Sequence, residues 1–247
     1  MPRKLDDLTS PIDQLATSPI DQLATDATKL PAHVRWRRAL TALAKVMANP
    51  EKTDQVLVFS IYANAGSMPT RIERFFSTEE GRRLYDEHRM IDSRTIDLDA
   101  LLTLPANTLG HAYATFLRSR GLTPAVFDAP PSEVNDPRIQ YVVQRLRQTH
   151  DLWHVVTGYD TDPASEVALQ AFTFAQVRAP SSAILATLGT LRALRQRPGV
   201  ARSVVASLRL GLRAAPLPIF PWEDHWATPL HEVRALLGIP AAGVKAS

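Results

Sequence analysis

At 247 residues with 45% hydrophobic content, the chain is long enough to bury one substantial core and resembles neither a disordered nor a fibrous protein. It contains no cysteine, which excludes disulfides and thiolate metal ligands and suits a reducing compartment. The net charge is only +3, yet no Asp or Glu occurs from Val167 to Trp222, where Arg178, Arg192, Arg195, Arg197, Arg202, Arg209 and Arg213 accumulate.

In chain order, Thr9 to Ala16 recurs unchanged as Thr17 to Ala24. Two short units cannot build a solenoid, so residues 1–30 are expected to form a disordered arm, followed by a single domain over 31–240 and a tail at 241–247. The first 30 residues lack the apolar run of a signal peptide. Helical signals dominate from Pro31 onward: Trp36 to Ala48, then Gln55 to Asn64 capped by Thr53-Asp54, then Thr70 to Phe76 leading into Thr78-Glu79-Glu80-Gly81. Val56 to Ile61 is rich enough in β-branched residues for a strand but has no pairing partner, and is read as buried helix. Leu109 to Arg120 is helical with Gly121 as its stop, and Val126 to Asn135 is a polar, Pro-rich connection.

Asp136-Pro137 opens a helix of about 21 residues, roughly 30 Å long, that stops at Gly158. Asp162-Pro163 opens the next. The longest charge-free apolar stretch, Ala179 to Leu191, falls short of the roughly 20 residues a transmembrane helix needs. Val200 to Leu212 mixes Val204, Val205, Leu208 and Leu212 with Arg202, Arg209 and, just beyond, Arg213, the pattern of a helix lying on anionic lipid. The commoner reading of such a segment is a solvated face beside a core face. Nucleic acid is not expected as a partner, because aromatic residues do not interleave these arginines and no nucleic-acid motif is present.

The chemistry concentrates in His150-Asp151-Leu152-Trp153-His154, followed by eleven residues and Glu166. Spacings of three and four place His150, Asp151 and His154 on neighbouring positions of one helix surface. His154 lies four residues before Gly158 and Glu166 four after Asp162, so in a helical hairpin they sit about one turn from the same loop. Such groups on an apolar face would be left unsatisfied without a partner, at roughly 1–3 kcal/mol each. A divalent metal satisfies them, and imidazole with carboxylate ligation points to zinc first, then iron, manganese or cobalt. His150, His154 and Glu166 are expected to hold the ion. Asp151 completes the shell, acts as acid/base, or fixes a histidine from outside it.

Other polar residues carry weaker signals. His225 and His231, near Trp222 and Trp226, are read as packing residues, and His33, His88 and His111 have no partner spacing. Arg71, Arg74, Arg82 and Arg83 can bind an anionic head group, though Glu73, Glu79 and Glu80 offer ordinary surface pairing.

The His150-Asp151-x-x-His154 pattern with Glu166 resembles the hallmark of the Coq-four family of ubiquinone biosynthesis proteins. The likeness extends through Arg74-Phe75-Phe76, Glu80-Gly81-Arg82-Arg83-Leu84, Leu109-Gly110-His111-Ala112-Tyr113, Ala171 to Gln176 and Pro229 to Arg234. The duplicated arm has no counterpart in that pattern.

The resemblance implies an all-α fold: a single helical domain with the metal site on a central αα-hairpin and an apolar lipid channel for a polyprenyl tail. It implies a homodimer, peripheral contact with anionic membrane on the cytoplasmic side of the inner membrane, and association with other ubiquinone-biosynthesis proteins. It also implies a lyase of the 4-hydroxy-3-methoxy-5-polyprenylbenzoate decarboxylase type, acting on the polyprenylated hydroxybenzoate or quinone lipid, with hydroxylation at the same carbon in an oxidative version. Asp151 and Glu166 are then the expected catalytic carboxylates. Two alternatives stand beside it. One is a non-catalytic lipid-binding scaffold with a structural metal. The other is a hydrolase, disfavoured because Asp151 is one methylene shorter than the Glu of the His-Glu-x-x-His pattern.

Overall fold

The computed structural model describes residues 27–49, 53–128, 136–194 and 197–241. The duplicated segment and the end of the tail lie outside the described residues, as does most of the Val126–Asn135 connection. Among the described residues from Ala32 onward, the α-helices follow in order: α1 (Ala32–Ala48), α2 (Thr53–Asn64), α3 (Met68–Phe76), α4 (Glu79–Asp86), α5 (Leu98–Leu102), α6 (Leu109–Ser119), α7 (Pro137–Thr157), α8 (Pro163–Val177), α9 (Pro180–Ala193), α10 (Val200–Arg213) and α11 (Leu230–Leu236). Among the described residues there is no strand, only an isolated bridge between Thr108 and Pro229. The apolar run at Val56–Ile61 is helical within α2, where Phe59 is fully buried.

Local chemistry sets the boundaries of the two helices that matter most. The Asp136 carboxylate accepts from the N–H groups of Arg138 and Ile139, and Pro137 occupies the first turn of α7. Gly158 ends α7 with φ +76°, a left-handed conformation that glycine adopts at little cost, and its N–H donates to His154 O. Asp162 caps α8 by accepting from Ala164 N–H, again with Pro in the first turn.

α7 lies at the centre of the main core. Its Leu152, Trp153 and Val156 pack with Leu109, Tyr113 and Leu117 of α6, with Leu169 and Phe172 of α8, and with Trp222 and Val233 near the C-terminus. Burying side chains of this size stabilises the fold by roughly 1.5–3 kcal/mol each. The N-terminal half of α7 instead meets α3 and α4 through Ile72, Phe75, Leu84, Tyr141 and Val142. A third cluster joins α1 and α2 to α9.

α7 and α8 are consecutive, as a hairpin requires, but α8 packs its backbone closely on α9 and α10 rather than on α7. Side chains bridge α7 and α8, with the Trp153 and Phe172 rings 6.2 Å apart. The approach of α10 to α8 is tight because of Gly211, where a Cβ would stand 2.8 Å from Phe172 O and 2.7 Å from the Ala175 Cβ. The buried positions of α10 are therefore Val200, Ser203, Ser207 and Gly211, leaving Val205 and Leu212 exposed.

Arg145 of α7, 1% exposed, ties the C-terminal segment to the core: its guanidinium pairs with Glu223 at 2.8 Å and donates to the carbonyls of Arg89, Pro218 and Phe220.

Candidate metal centre

His150 and His154 lie one turn apart on α7, and Glu166 lies in the first turn of α8. Each offers one ligand atom, and the three atoms lie within 4.8 Å of one another. His154 is the buried member at 2% side-chain exposure, whereas His150 and Glu166 are each 37% exposed, so the cluster opens on one side.

The orientation of His154 is determined by its surroundings. Its Nδ1 is 3.2 Å from the carbonyl oxygen of Tyr159. A carbonyl only accepts, so Nδ1 carries the hydrogen and Nε2 is left with its lone pair. That lone pair faces Glu166 Oε1 at 3.3 Å, also an acceptor. A proton or a cation must lie between them.

The proton is disfavoured on the imidazole, because burial, and then the charge of His150, pushes the His154 pKa down to about 4. Burial also raises the Glu166 carboxyl above its ordinary value. Both shifts express the cost of charge in a partly desolvated site, and a divalent ion relieves that cost at both groups. The donor set of two imidazoles and one carboxylate is one that zinc accepts, and three protein ligands leave a position for water or substrate.

Asp151 is outside this cluster of three, with Oδ1 3.8 Å from His150 Nδ1 and 17% exposure. Its negative charge is felt by Tyr113, whose phenol is pushed up first by burial and then by that carboxylate. Tyr113 stacks on Trp226 at 5.6 Å.

Several supports carry no motif of their own. The Phe116 ring stacks on His154 at 5.4 Å, and the Arg120 guanidinium lies 3.9 Å from the centre of that ring. Arg234 of α11 donates to Val155 O and Val156 O at 3.0 and 2.9 Å, satisfying carbonyls at the end of the ligand helix. Arg234 lies in a segment that carried the family likeness, but its contact with α7 has no sequence signature.

The remaining histidines lie elsewhere. His225 stacks on Phe220, His231 is exposed beside Glu232, His111 Nδ1 faces Leu102 O and Leu104 O, and His33 is exposed. His88 occupies a left-handed turn with φ +52°.

An all-helical domain with a half-open His/His/Glu cluster at a helical turn defines a class of candidate metalloprotein. Comparison with known proteins narrows it. Residues 26–242 match the family described as "Coenzyme Q (ubiquinone) biosynthesis protein Coq4", and the chain belongs to that family.

Among its relatives is the mitochondrial ubiquinone biosynthesis protein COQ4 of Laccaria bicolor, 30% identical over 195 residues. That match covers 78% of this chain and 65% of the fungal protein. The corresponding protein of Botryotinia fuckeliana is 30% identical, with 97% and 87% covered. A crystal structure from Nostoc punctiforme, of a protein provisionally assigned to ubiquinone biosynthesis, superposes with TM-score 0.67 at 28% identity. It covers 82% of this chain and 97% of the Nostoc chain.

Proposed function

We propose that this protein carries out metal-dependent removal of the ring carboxylate from a polyprenylated 4-hydroxybenzoate in ubiquinone biosynthesis, with His150, His154 and Glu166 holding the ion. The observation that carries the reading is the pair of facing acceptors, His154 Nε2 and Glu166 Oε1 at 3.3 Å, on the open side of which His150 supplies a third ligand. Zinc suits this set first, with iron, manganese or cobalt as alternatives.

The bound ion supplies Lewis-acid polarisation and orientation of head-group oxygens. His154, fixed by Tyr159 O and packed under Phe116, holds its lone pair rigidly toward the site. Asp151 lies beside the cluster, where it delivers a proton to the carboxylate-bearing ring carbon. The C–C electron pair remains with the ring as carbon dioxide leaves, and the para-hydroxyl stabilises the protonated ring. Glu166, the other carboxylate of the site, holds the ion and is the alternative proton carrier.

The polyprenyl tail leaves through the side where His150 and Glu166 are exposed, into the apolar channel that forms part of this proposal. Among the described residues no helix is long and apolar enough to cross a membrane. Substrate is drawn from a bilayer by peripheral contact, a reading supported by the exposed Val205, Leu212 and neighbouring arginines of α10. A homodimer, docking to other ubiquinone-biosynthesis proteins and the division into arm 1–30, domain 31–240 and tail 241–247 complete the proposal.

The test is turnover of a polyprenyl-hydroxybenzoate by metal-loaded protein, read by mass spectrometry, with His154→Ala alongside. Metal-dependent loss of the carboxylate in the wild type alone supports the enzyme. Unchanged substrate with a full metal site refutes it and favours a scaffold that presents polyprenyl lipids to other enzymes. Exposure of Trp36 and Leu40 on α1 and of Leu191 and Leu194 at the C-terminal end of α9 is the feature that suits that second reading.

A further inference from the structure

Helix α1 exposes two unlike stripes. Trp36, Leu40 and Met47, spaced i, i+4 and i+11, lie along one side and are all exposed. Arg38, Thr41 and Lys45, spaced i, i+3 and i+7, lie along the other. With Arg37 they line an open groove of about 480 Å³ whose far wall is Gln55, Val58 and Tyr62 of α2. No Asp or Glu occurs in α1, and among the described residues none of Arg35, Arg37, Arg38 and Lys45 makes an ion pair. The C-terminal end of α9 adjoins the apolar stripe, where Arg192 donates to Met47 O at 3.4 Å and Leu191 is exposed.

The sequence that leads into this region has the complementary composition. Residues 5–26 carry Asp6, Asp7, Asp13, Asp21 and Asp26 and no Lys or Arg. Each copy of the duplicated TSPIDQLA unit sets Ile and Leu three residues apart with an Asp beside the Ile: Ile12, Asp13 and Leu15, then Ile20, Asp21 and Leu23. Each copy thus holds an anion and two apolar side chains, the counterparts of the two stripes on α1. The point of attachment also fits. Ala27, which follows Asp26, is fully buried in the cluster that joins α1, α2 and α9, and Leu30 packs against the same cluster. The eighteen residues from Thr9 to Asp26 reach about 60 Å when extended, against about 25 Å for the length of α1.

We propose that the duplicated segment, residues 9–24, docks along α1 of its own chain, with Ile12, Leu15, Ile20 and Leu23 covering the apolar stripe while Asp13 and Asp21 meet Arg37, Arg38 and Lys45. The inference stands on α1 and this segment alone and does not depend on the reaction proposed at the metal cluster. Charge selects the occupant. A second copy of α1 on the same face would set cations against cations, whereas the segment supplies the anions. Tethering makes weak contacts sufficient, because a segment joined by a few residues has an effective concentration in the millimolar range. The duplication gives two attachments where one short unit gives one.

The experiment joins carbodiimide cross-linking of the full chain, read by peptide mapping, with hydroxyl-radical footprinting. Cross-links from Asp13 and Asp21 to Lys45 are expected, and in a mixture of light and heavy nitrogen-labelled chains each should join peptides of one label only. Docking with about two-thirds occupancy, as tethering gives a contact of millimolar affinity, slows oxidation of Trp36 and Met47 roughly threefold relative to the full-length variant Ile12→Ser, Leu15→Ser, Ile20→Ser, Leu23→Ser. Leu236, exposed on α11, should oxidise equally in both proteins and serves as the control. Cross-links between light and heavy peptides assign the face to the segment of a second copy and overturn the same-chain proposal. Absence of any cross-link from Asp13 or Asp21 to Lys45, or equal oxidation of Trp36 and Met47 in the two proteins, overturns it as well.

Discussion

Glu166→Gln separates a metal site from an ordinary hydrogen-bonded histidine, because the two readings predict opposite signs. In the metal-free protein the wild type sets two acceptors against each other, His154 Nε2 and Glu166 Oε1 at 3.3 Å, and His154 Nδ1 is already committed to Tyr159 O. A glutamine amide turned toward Nε2 provides the missing donor, worth about 1 kcal/mol. It also removes a carboxylate that burial disfavours. For a domain of this length, 1 kcal/mol corresponds to about 2–4 °C in Tm, upward. With metal the sign reverses. Four-ligand zinc sites contribute about 10–16 kcal/mol, or about 3 kcal/mol per ligand, so losing the anionic ligand should weaken zinc on the order of 100-fold. Differential scanning calorimetry of chelator-stripped proteins and zinc competition against a chromophoric chelator measure the two effects. A stripped variant less stable than the stripped wild type, or one with unchanged zinc affinity, refutes the argument.

The Glu166→Gln background also isolates the titration of His154. With its folded pKa near 4 and an unfolded value near 6.5, the unfolded chain takes up the proton first, so stability is complete above about pH 6.5 and falls by about 3 kcal/mol as pH drops to about 4. Urea unfolding of the stripped protein at several pH values should show that slope, and a flat profile contradicts the burial of a neutral imidazole. Arg145→Met should cost about 3–5 kcal/mol by leaving Glu223 without its partner, and the double variant with Glu223→Gln should lose less than the sum, as read from urea midpoints. Replacing Arg202, Arg209 and Arg213 with Gln should reduce co-sedimentation with anionic vesicles, most visibly at low salt, without lowering Tm; unchanged sedimentation removes α10 as the contact surface.

The parts of the site visible in the sequence are those set by local chemistry. Asp136-Pro137, Gly158 and Asp162-Pro163 each act within a turn of their own position, so they fixed the ends of α7 and α8 and hence the register of His150, His154 and Glu166. What depended on packing was hidden. The apolar residues of α10 fit either a lipid-facing face or a core face in the sequence, whereas the buried positions include Ser203, Ser207 and Gly211, because close approach to Phe172 and Ala175 is decided by side-chain volume rather than hydrophobicity. Arg71 and Arg83 have similar sequence neighbours, and only the rotation of their helices shows that one meets carboxylates and the other a cavity. Asp151 has the spacing of a ligand, but adjacent residues on a helix do not face the same way, and it falls outside the three.

The least legible partner of the site is a backbone atom. Tyr159 follows Gly158, so the left-handed turn that ends α7 also directs the Tyr159 carbonyl back at His154 Nδ1. A non-glycine residue at position 158 would disturb both the helix end and the hydrogen bond that fixes which imidazole nitrogen is free. The turn of the hairpin and the tautomer of the buried His154 are therefore one structural device, and the glycine that looks like simple punctuation in the sequence is part of the candidate metal centre.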